Sequence, residues 1–278
     1  MSAPISATLT DFWGEDWPLG YWTPGPRQRG VRLKSITGLA GAPWGFNEVQ
    51  GESTQGVIVR GRKDEAGPIE AEVYLDYPGG GDLAVEYLMQ WRRALGRGLA
   101  RTEDTPPLRL TIGNSGRWQD VRLMAAKNEP DYVAMHAVGR ALDQLTFRQD
   151  MSWWRTDPEV KTFTAAQFAG ATIGNDGDVD TWAAFRLVGP ITSPTLGLAG
   201  ETMPLPTLTA GQWLEIDTDP DYWSIVDQSG TDRSWIGTRW AKRAPAGAPA
   251  IPVTITGTGA SGATRLTVTV PQYYWAAL

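Results

Sequence analysis

The sequence predicts a mainly β protein of two domains, with one helix in its first half. Three observations carry that expectation. Gly 32 and Pro 20 in 278 residues punctuate the chain throughout, which favours many short strands over long helices. Apolar and polar residues alternate with a period of two in several segments, most cleanly over residues 69 to 77. A single stretch, 82 to 95, carries the 3.6-residue period of an amphipathic helix.

Residues 1 to 30 concentrate Trp13, Trp17, Tyr21 and Trp22 with Pro18, Pro24 and Pro26 between them, and a first strand is expected over 31 to 36. The segment 38 to 55 around Trp44, Phe46 and Asn47 is long, polar and glycine-rich. Loops of that length usually have a task, so it is either an ordered cap on the core or an arm that reaches a neighbouring subunit.

Residues 57 to 62 and 69 to 77 read as a hairpin turning at Asp64-Glu65-Ala66-Gly67. In its second strand Ile69, Ala71, Val73 and Leu75 face one way, while Glu70, Glu72, Tyr74 and Asp76 face the other. The acidic face is either a solvated sheet surface or the lining of a pore. After the glycine run 79 to 81, Asp82 is the expected N-cap. Ala84, Tyr87, Leu88, Trp91 and Leu95 form the helix's apolar stripe, Gly96 and Gly98 stop it, and Arg92, Arg93 and Arg97 suit its C-terminal dipole. Four further strands are expected at 108 to 112, 118 to 127, 132 to 138 and 142 to 154, before Asp157-Pro158 ends the domain.

The second half, 159 to 278, reads as all β. A polar turn at 175 to 178 leads into a strand over 182 to 188 whose inner face is Ala183, Phe185 and Leu187. Gly189-Pro190 ends it, Ser193-Pro194 turns the chain, and further strands are expected near Trp213, Tyr222 and Trp235 and over 251 to 256 and 265 to 270.

Composition excludes several functions. The net charge of -6 argues against a nucleic-acid binder, which needs clustered Lys and Arg, although like charge suits a conduit through which DNA passes. Cysteine is absent, so thiolate metal sites and disulfides are excluded. No apolar run approaches the ~20 residues of a membrane span, and neither a signal peptide nor membrane insertion is expected.

The Asn-x-Gly-Asp turn at 175 to 178, its strand, Gly189-Pro190, Ser193-Pro-Thr-Leu196 and the later 208 to 218 stretch LTAGQWLEIDT resemble the C-terminal domain of distal tail proteins of long non-contractile-tailed bacteriophages, the siphoviruses. Trp153-Trp154 ahead of Asp157-Pro158 resembles the last strand of that family's ring-forming domain. An Ala, Pro and Gly run at 244 to 250 departs from the pattern, standing where a Pro-Gly-Asn turn is expected. The resemblance implies a ring-forming antiparallel β-sandwich or split-barrel-like domain over 1 to 158 and a galectin-like β-sandwich over 159 to 278. It also implies a structural virion protein of the tail tip, assembled in the host cytoplasm as a hexameric homo-oligomer. Its partners would be the tail tube protein, the tail-tip hub protein and the tape measure protein, with DNA passing transiently and non-specifically. In such a ring Glu70, Glu72 and Asp76 would face the lumen, and Trp44, Phe46 and Asn47 would sit on the inter-subunit arm.

No catalytic, cofactor or metal residues are expected. Gly257-Thr-Gly259-Ala-Ser-Gly262 matches a dinucleotide fingerprint, yet a strand follows where the pyrophosphate site needs a helix, so it reads as a hairpin turn. Asp176, Asp178 and Asp180 have calcium-loop spacing without the glycine and glutamate that complete such a loop. Asp217-Thr218-Asp219 is turn chemistry. His136, expected mid-strand, has no nucleophile elbow to serve. The rival reading is a carbohydrate-binding module for host adhesion, resting on Trp182, Trp213, Trp223, Trp235, Trp240 and Tyr273-Tyr274-Trp275 as a stacking platform.

Overall fold

The computed structural model describes residues 5–21, 27–49, 58–96, 106–126 and 129–278. Trp22, Pro24, Pro26, residues 50 to 55 of the expected arm, Val57, Arg97, Gly98 and Lys127 lie outside the described residues. The chain is mainly β and divides into two compact units, Met1–Trp154 with Trp275–Leu278, and Arg155–Tyr274. The last four residues are held within the first unit, where Ala277 N donates to Leu39 O at 2.8 Å and the Arg117 guanidinium donates to Ala276 O at 2.8 Å.

The first unit runs β1 (Ala7–Thr10), β2 (Asp16–Tyr21), β3 (Gly30–Thr37), β4 (Trp44–Val49), β5 (Ile58–Asp64), β6 (Pro68–Asp76), α1 (Asp82–Ala94), β7 (Leu108–Ile112), β8 (Arg117–Ala126), α2 (Tyr132–Val138) and β9 (Arg140–Gln149). Seven of these strands follow one another in the order β8-β7-β1-β2-β3-β6-β9, and β9 pairs again with β8. The sheet therefore closes into a barrel, which leaves those strands no free edge. All its pairings are antiparallel except β2 with β3. Alternation does what the sequence promised on β6: Ile69, Ala71, Val73 and Leu75 are buried. The α1 stripe is also buried, from Ala84 to Leu95, and Gly96 ends the helix with φ 72.

Several expectations need correction. The strand expected first is third, because the short β1 and β2 were hidden among the tryptophans and prolines. Segment 57 to 62 does not pair with 69 to 77. Instead β5 pairs with β4, inside the segment expected to be a loop, and β6 pairs with β3 and β9.

The strand expected at 132 to 138 is the helix α2, so the described residues of the first unit hold two helices. Asp131 caps it by accepting from Ala134 N at 2.8 Å, and Gly139 closes it in the left-handed region at φ 66. His136 therefore stands on a helix. Asp82 is the first helical residue and not the N-cap. Gly81 takes the cap position, because the turn before it brings Gly80 and Gly81 against the His136 carbonyl, which accepts from Gly81 N at 2.7 Å.

The second unit contains β10 (Trp154–Thr164, its first residue counted with the first unit), β11 (Thr172–Asn175), β12 (Ala184–Val188), β13 (Thr192–Leu198), β14 (Glu201–Pro204), β15 (Trp213–Asp217), β16 (Ser224–Asp227), β17 (Ala248–Thr258) and β18 (Arg265–Tyr274). One sheet has the order β16-β15-β12-β18-β10 and the other β11-β17-β13-β14. Phe185, Leu187, Ile216 and Val268 from the first meet Ile173, Leu196, Val253 and Ile255 from the second in one apolar core, which makes a two-layer sandwich.

Here too local signals misled. Asp157-Pro158 lies inside β10, because a proline removes one ladder donor without forbidding an extended backbone. Ser193-Pro194 is a bulge within β13, with Ser193 at φ 47, and not a turn. Trp235 sits in a 3-10 turn, Ser234–Ile236. The glycines 257 to 262 are no hairpin, since β17 and β18 belong to different sheets.

Candidate assembly surface

The β4 and β5 strands form a two-stranded ribbon that pairs with no other strand among the described residues. Its base is fastened. Glu65 N donates to Pro43 O at 2.8 Å and Ser152 Oγ to Asp64 O at 3.2 Å. Beyond that base, Trp44, Phe46, Val49, Ile58 and Val59 are each between 42% and 56% exposed.

Trp44 and Phe46 lie two residues apart, hence on one face, with ring centroids 5.1 Å apart in an edge-on arrangement. Val49 lies opposite Ile58, and a register shift after Asn47 brings Val59 opposite Glu48. Asn47 is exposed on the same strand. An isolated two-stranded ribbon is at best marginally stable in water, and five apolar side chains in half-exposed positions add an unfavourable surface that burial would relieve.

Sequence reasoning brought Trp44, Phe46 and Asn47 to one element but missed Val49, Ile58 and Val59. Their signal was available in the sequence as apolar residues on both sides of the glycine-flanked stretch 51 to 56.

The expected acidic face of β6 is not a row of free carboxylates. Asp76 is fully buried, and the expectation that it is solvated and lumen-facing is corrected. Arg140 grips it with two bonds, Nε to Oδ1 at 2.7 Å and a terminal nitrogen to Oδ2 at 3.0 Å, while Arg32 Nε approaches Oδ2 at 3.3 Å. These two arginines come from β9 and β3, the strands on either side of β6.

Glu72 is similarly tied, its Oε2 lying 3.0 Å from Lys34 Nζ and accepting from Ser35 Oγ at 3.2 Å, with Gln144 donating to its other oxygen. The hydrogen bond from Lys34, then that from Gln144, holds the Glu72 carboxyl below its ordinary range, and the same Glu72 contact raises Lys34. Glu70 is exposed on the same face. Two of the three carboxylates are thus met by cations from the flanking strands, Asp76 by Arg32 and Arg140 and Glu72 by Lys34.

Among the described residues, no group of three His, Cys, Asp or Glu side chains is placed to hold a metal ion, and no helix is long and apolar enough to cross a membrane. Asp180 of the calcium-like spacing accepts instead from Ala246 N at 2.8 Å, fastening the loop. His136 Nε2 lies 3.4 Å from an Asp82 oxygen at the surface. The aromatics expected as a platform do not act together. Trp240 is buried in the sandwich core, Trp182 lies under Arg243 at 4.8 Å, Trp213 lies under Arg186 at 4.5 Å, and of the expected set only Trp235 is largely exposed.

No protein-family model matches the sequence, and no curated protein matches it either. Solved structures do match the fold. The Dit protein of phage SPP1, described as a paradigm of the hub adsorption apparatus in phages infecting Gram-positive bacteria, superposes with a TM-score of 0.63 at 11% identity, over 98% of this chain and 99% of that one. A chain of the phage P2 baseplate in its activated conformation with calcium superposes at 0.50 with 10% identity, and one from the same baseplate with strontium at 0.50 with 9% identity; each comparison covers 97% of this chain and 98% of the other. Over nearly its whole length, this chain has the fold seen in a phage adsorption-hub protein and in chains of a phage baseplate.

Proposed function

We propose that this chain is a structural virion protein of a siphovirus-type tail tip, a distal tail protein that joins the tail tube to the tip hub and takes no part in catalysis. The observation that carries the reading is the β4–β5 ribbon, an apolar two-stranded arm without a sheet partner among the described residues, in a chain whose fold matches a phage hub protein over 99% of that protein. Such a ribbon suits a head-to-tail contact, in which each copy lays its arm on the next and the rotation closes a ring. The first unit forms a hexamer around the DNA channel in this reading. Glu70 and Glu72 of β6 face the lumen, and the second unit, a galectin-like sandwich, projects outward. Its partners are the tube, hub and tape measure proteins.

Native mass spectrometry of the full chain tests it. A closed ring of six 30.3 kDa chains is expected, and Trp44→Ser with Phe46→Ser should shift the population to smaller species without changing far-ultraviolet circular dichroism. A chain that stays monomeric at high micromolar concentration overturns the reading.

A further inference from the structure

A cavity of about 330 Å³ opens at the Gly30 end of β3, walled by Trp17 of β2 and Tyr87 of α1. The Tyr87 ring lies 6.0 Å from that of Trp17 and 5.9 Å from that of Tyr77. The Arg29 guanidinium rests over both tyrosines, 4.8 Å from the Tyr87 ring and 5.4 Å from the Tyr77 ring. Arg27 fastens this segment by donating to Val138 O at 2.7 Å.

Charge in the cavity is unbalanced. Among the described residues, no acidic side chain lines it. Arg32 on its wall shares the one carboxylate of Asp76 with Arg140, and Arg29 makes no ion pair or hydrogen bond with any described residue. Stacked on two rings, Arg29 loses little freedom when a carboxylate arrives. Aromatic walls beside an unmatched guanidinium fit an occupant that is both aromatic and acidic.

The β4–β5 ribbon has that composition. The extra residue at its register shift is Arg60 of β5, so β4 keeps its alternation. Trp44, Phe46 and Glu48 therefore share one face, with Val59 opposite Glu48. Glu48 is exposed and bonds to no described residue.

The ribbon and the cavity also lie at opposite ends of one strand. The cavity is at Gly30, whereas the ribbon is inserted between Thr37, the last residue of β3, and Pro68, the first of β6. The eight residues of β3 span roughly 25 Å. A chain with its arm at one end and a matching cavity at the other is built for a contact repeated head to tail.

We propose that the β4–β5 ribbon of one copy seats its Trp44, Phe46 and Glu48 face in the Arg29 cavity of the next copy. The aromatic rings pack on Trp17 and Tyr87, and Glu48 pairs with Arg29. This contact names the receptor of the arm and rests on the ring reading above.

A charge swap in the full chain tests it, with assembly followed by native mass spectrometry across a dilution series. Arg29→Glu and Glu48→Arg should each raise the concentration at which rings half-dissociate by at least about tenfold, and the two together should bring it back to within about threefold of the starting value. Gly20→Leu gives a readout that does not depend on charge. A Cβ there meets nothing closer than Val31 O at 3.9 Å, so this variant should fill the cavity and weaken the rings at unchanged Tm. An unaltered chain that forms no ring overturns the assembly reading itself. Rings that form and survive Arg29→Glu, Glu48→Arg and Gly20→Leu overturn this contact alone, as do rings weakened by each charge change and not restored by the pair.

Discussion

Trp91 Nε1 donates to Asp143 Oδ2 at 3.1 Å, with both side chains wholly sealed from solvent. This bond fastens α1 to β9 across 52 residues of sequence, and the Trp17 ring packs on Trp91 at 5.5 Å. Trp91→Phe keeps most of the apolar volume and removes a donor to a buried carboxylate. A loss of roughly 1–3 kcal/mol is expected, read as a lower urea midpoint at unchanged slope. An unchanged midpoint would show that the bond adds nothing.

Gly139 and Gly116 form a matched pair in the first unit, both left-handed, at φ 66 and 68. A Cβ on Gly139 would meet Tyr77 O at 1.8 Å, whereas one on Gly116 meets nothing within 4 Å. Gly116→Ala should therefore cost only the backbone term, about 1–2 kcal/mol, while Gly139→Ala should cost clearly more or displace α2. Equal melting temperatures for the two variants would contradict the packing described for Gly139.

The Glu72–Lys34 pair makes a pH-dependent contribution. Glu72 has its folded pKa depressed, so its stabilisation is present above the ordinary glutamate pKa and is lost as pH falls through the folded value. Lys34 has its folded pKa raised, so its share is present below the ordinary lysine pKa and disappears as pH rises through the folded value. Glu72→Gln should then flatten the acid limb of the stability curve slightly, the effect being limited by solvent screening. A steeper acid limb in the variant would reverse the sign.

The ribbon predicts a separation of stability from association. Val49→Thr with Ile58→Thr alters side chains that are already half exposed, so the dilute chain should keep its unfolding free energy within about 0.5 kcal/mol. Large species in sedimentation velocity should nevertheless diminish. Lost folding with retained association would place these side chains in an internal contact.

Periodic signals were legible wherever one element met one core. The alternation of β6, the α1 stripe and the inner face of β12 each needed only their own residues, because a half-buried strand or helix writes its period into the chain. Segment 132 to 138 was not legible, since seven residues carry too little periodicity and the capping by Asp131 and Gly139 decides the outcome.

Partnership was decided only by tertiary structure. The sequence showed that 57 to 62 is extended, but whether it pairs with β6 or β4 depends on which strands close the barrel. It showed a row of acidic residues on β6 as well. It did not show that Arg32 and Arg140, 44 and 64 residues away from Asp76, would arrive from the two flanking strands and cancel its charge. Side-chain direction along a strand is local and set by the backbone, whereas the neighbour across the ladder is set by long-range register, and that neighbour determines which charges remain for a partner.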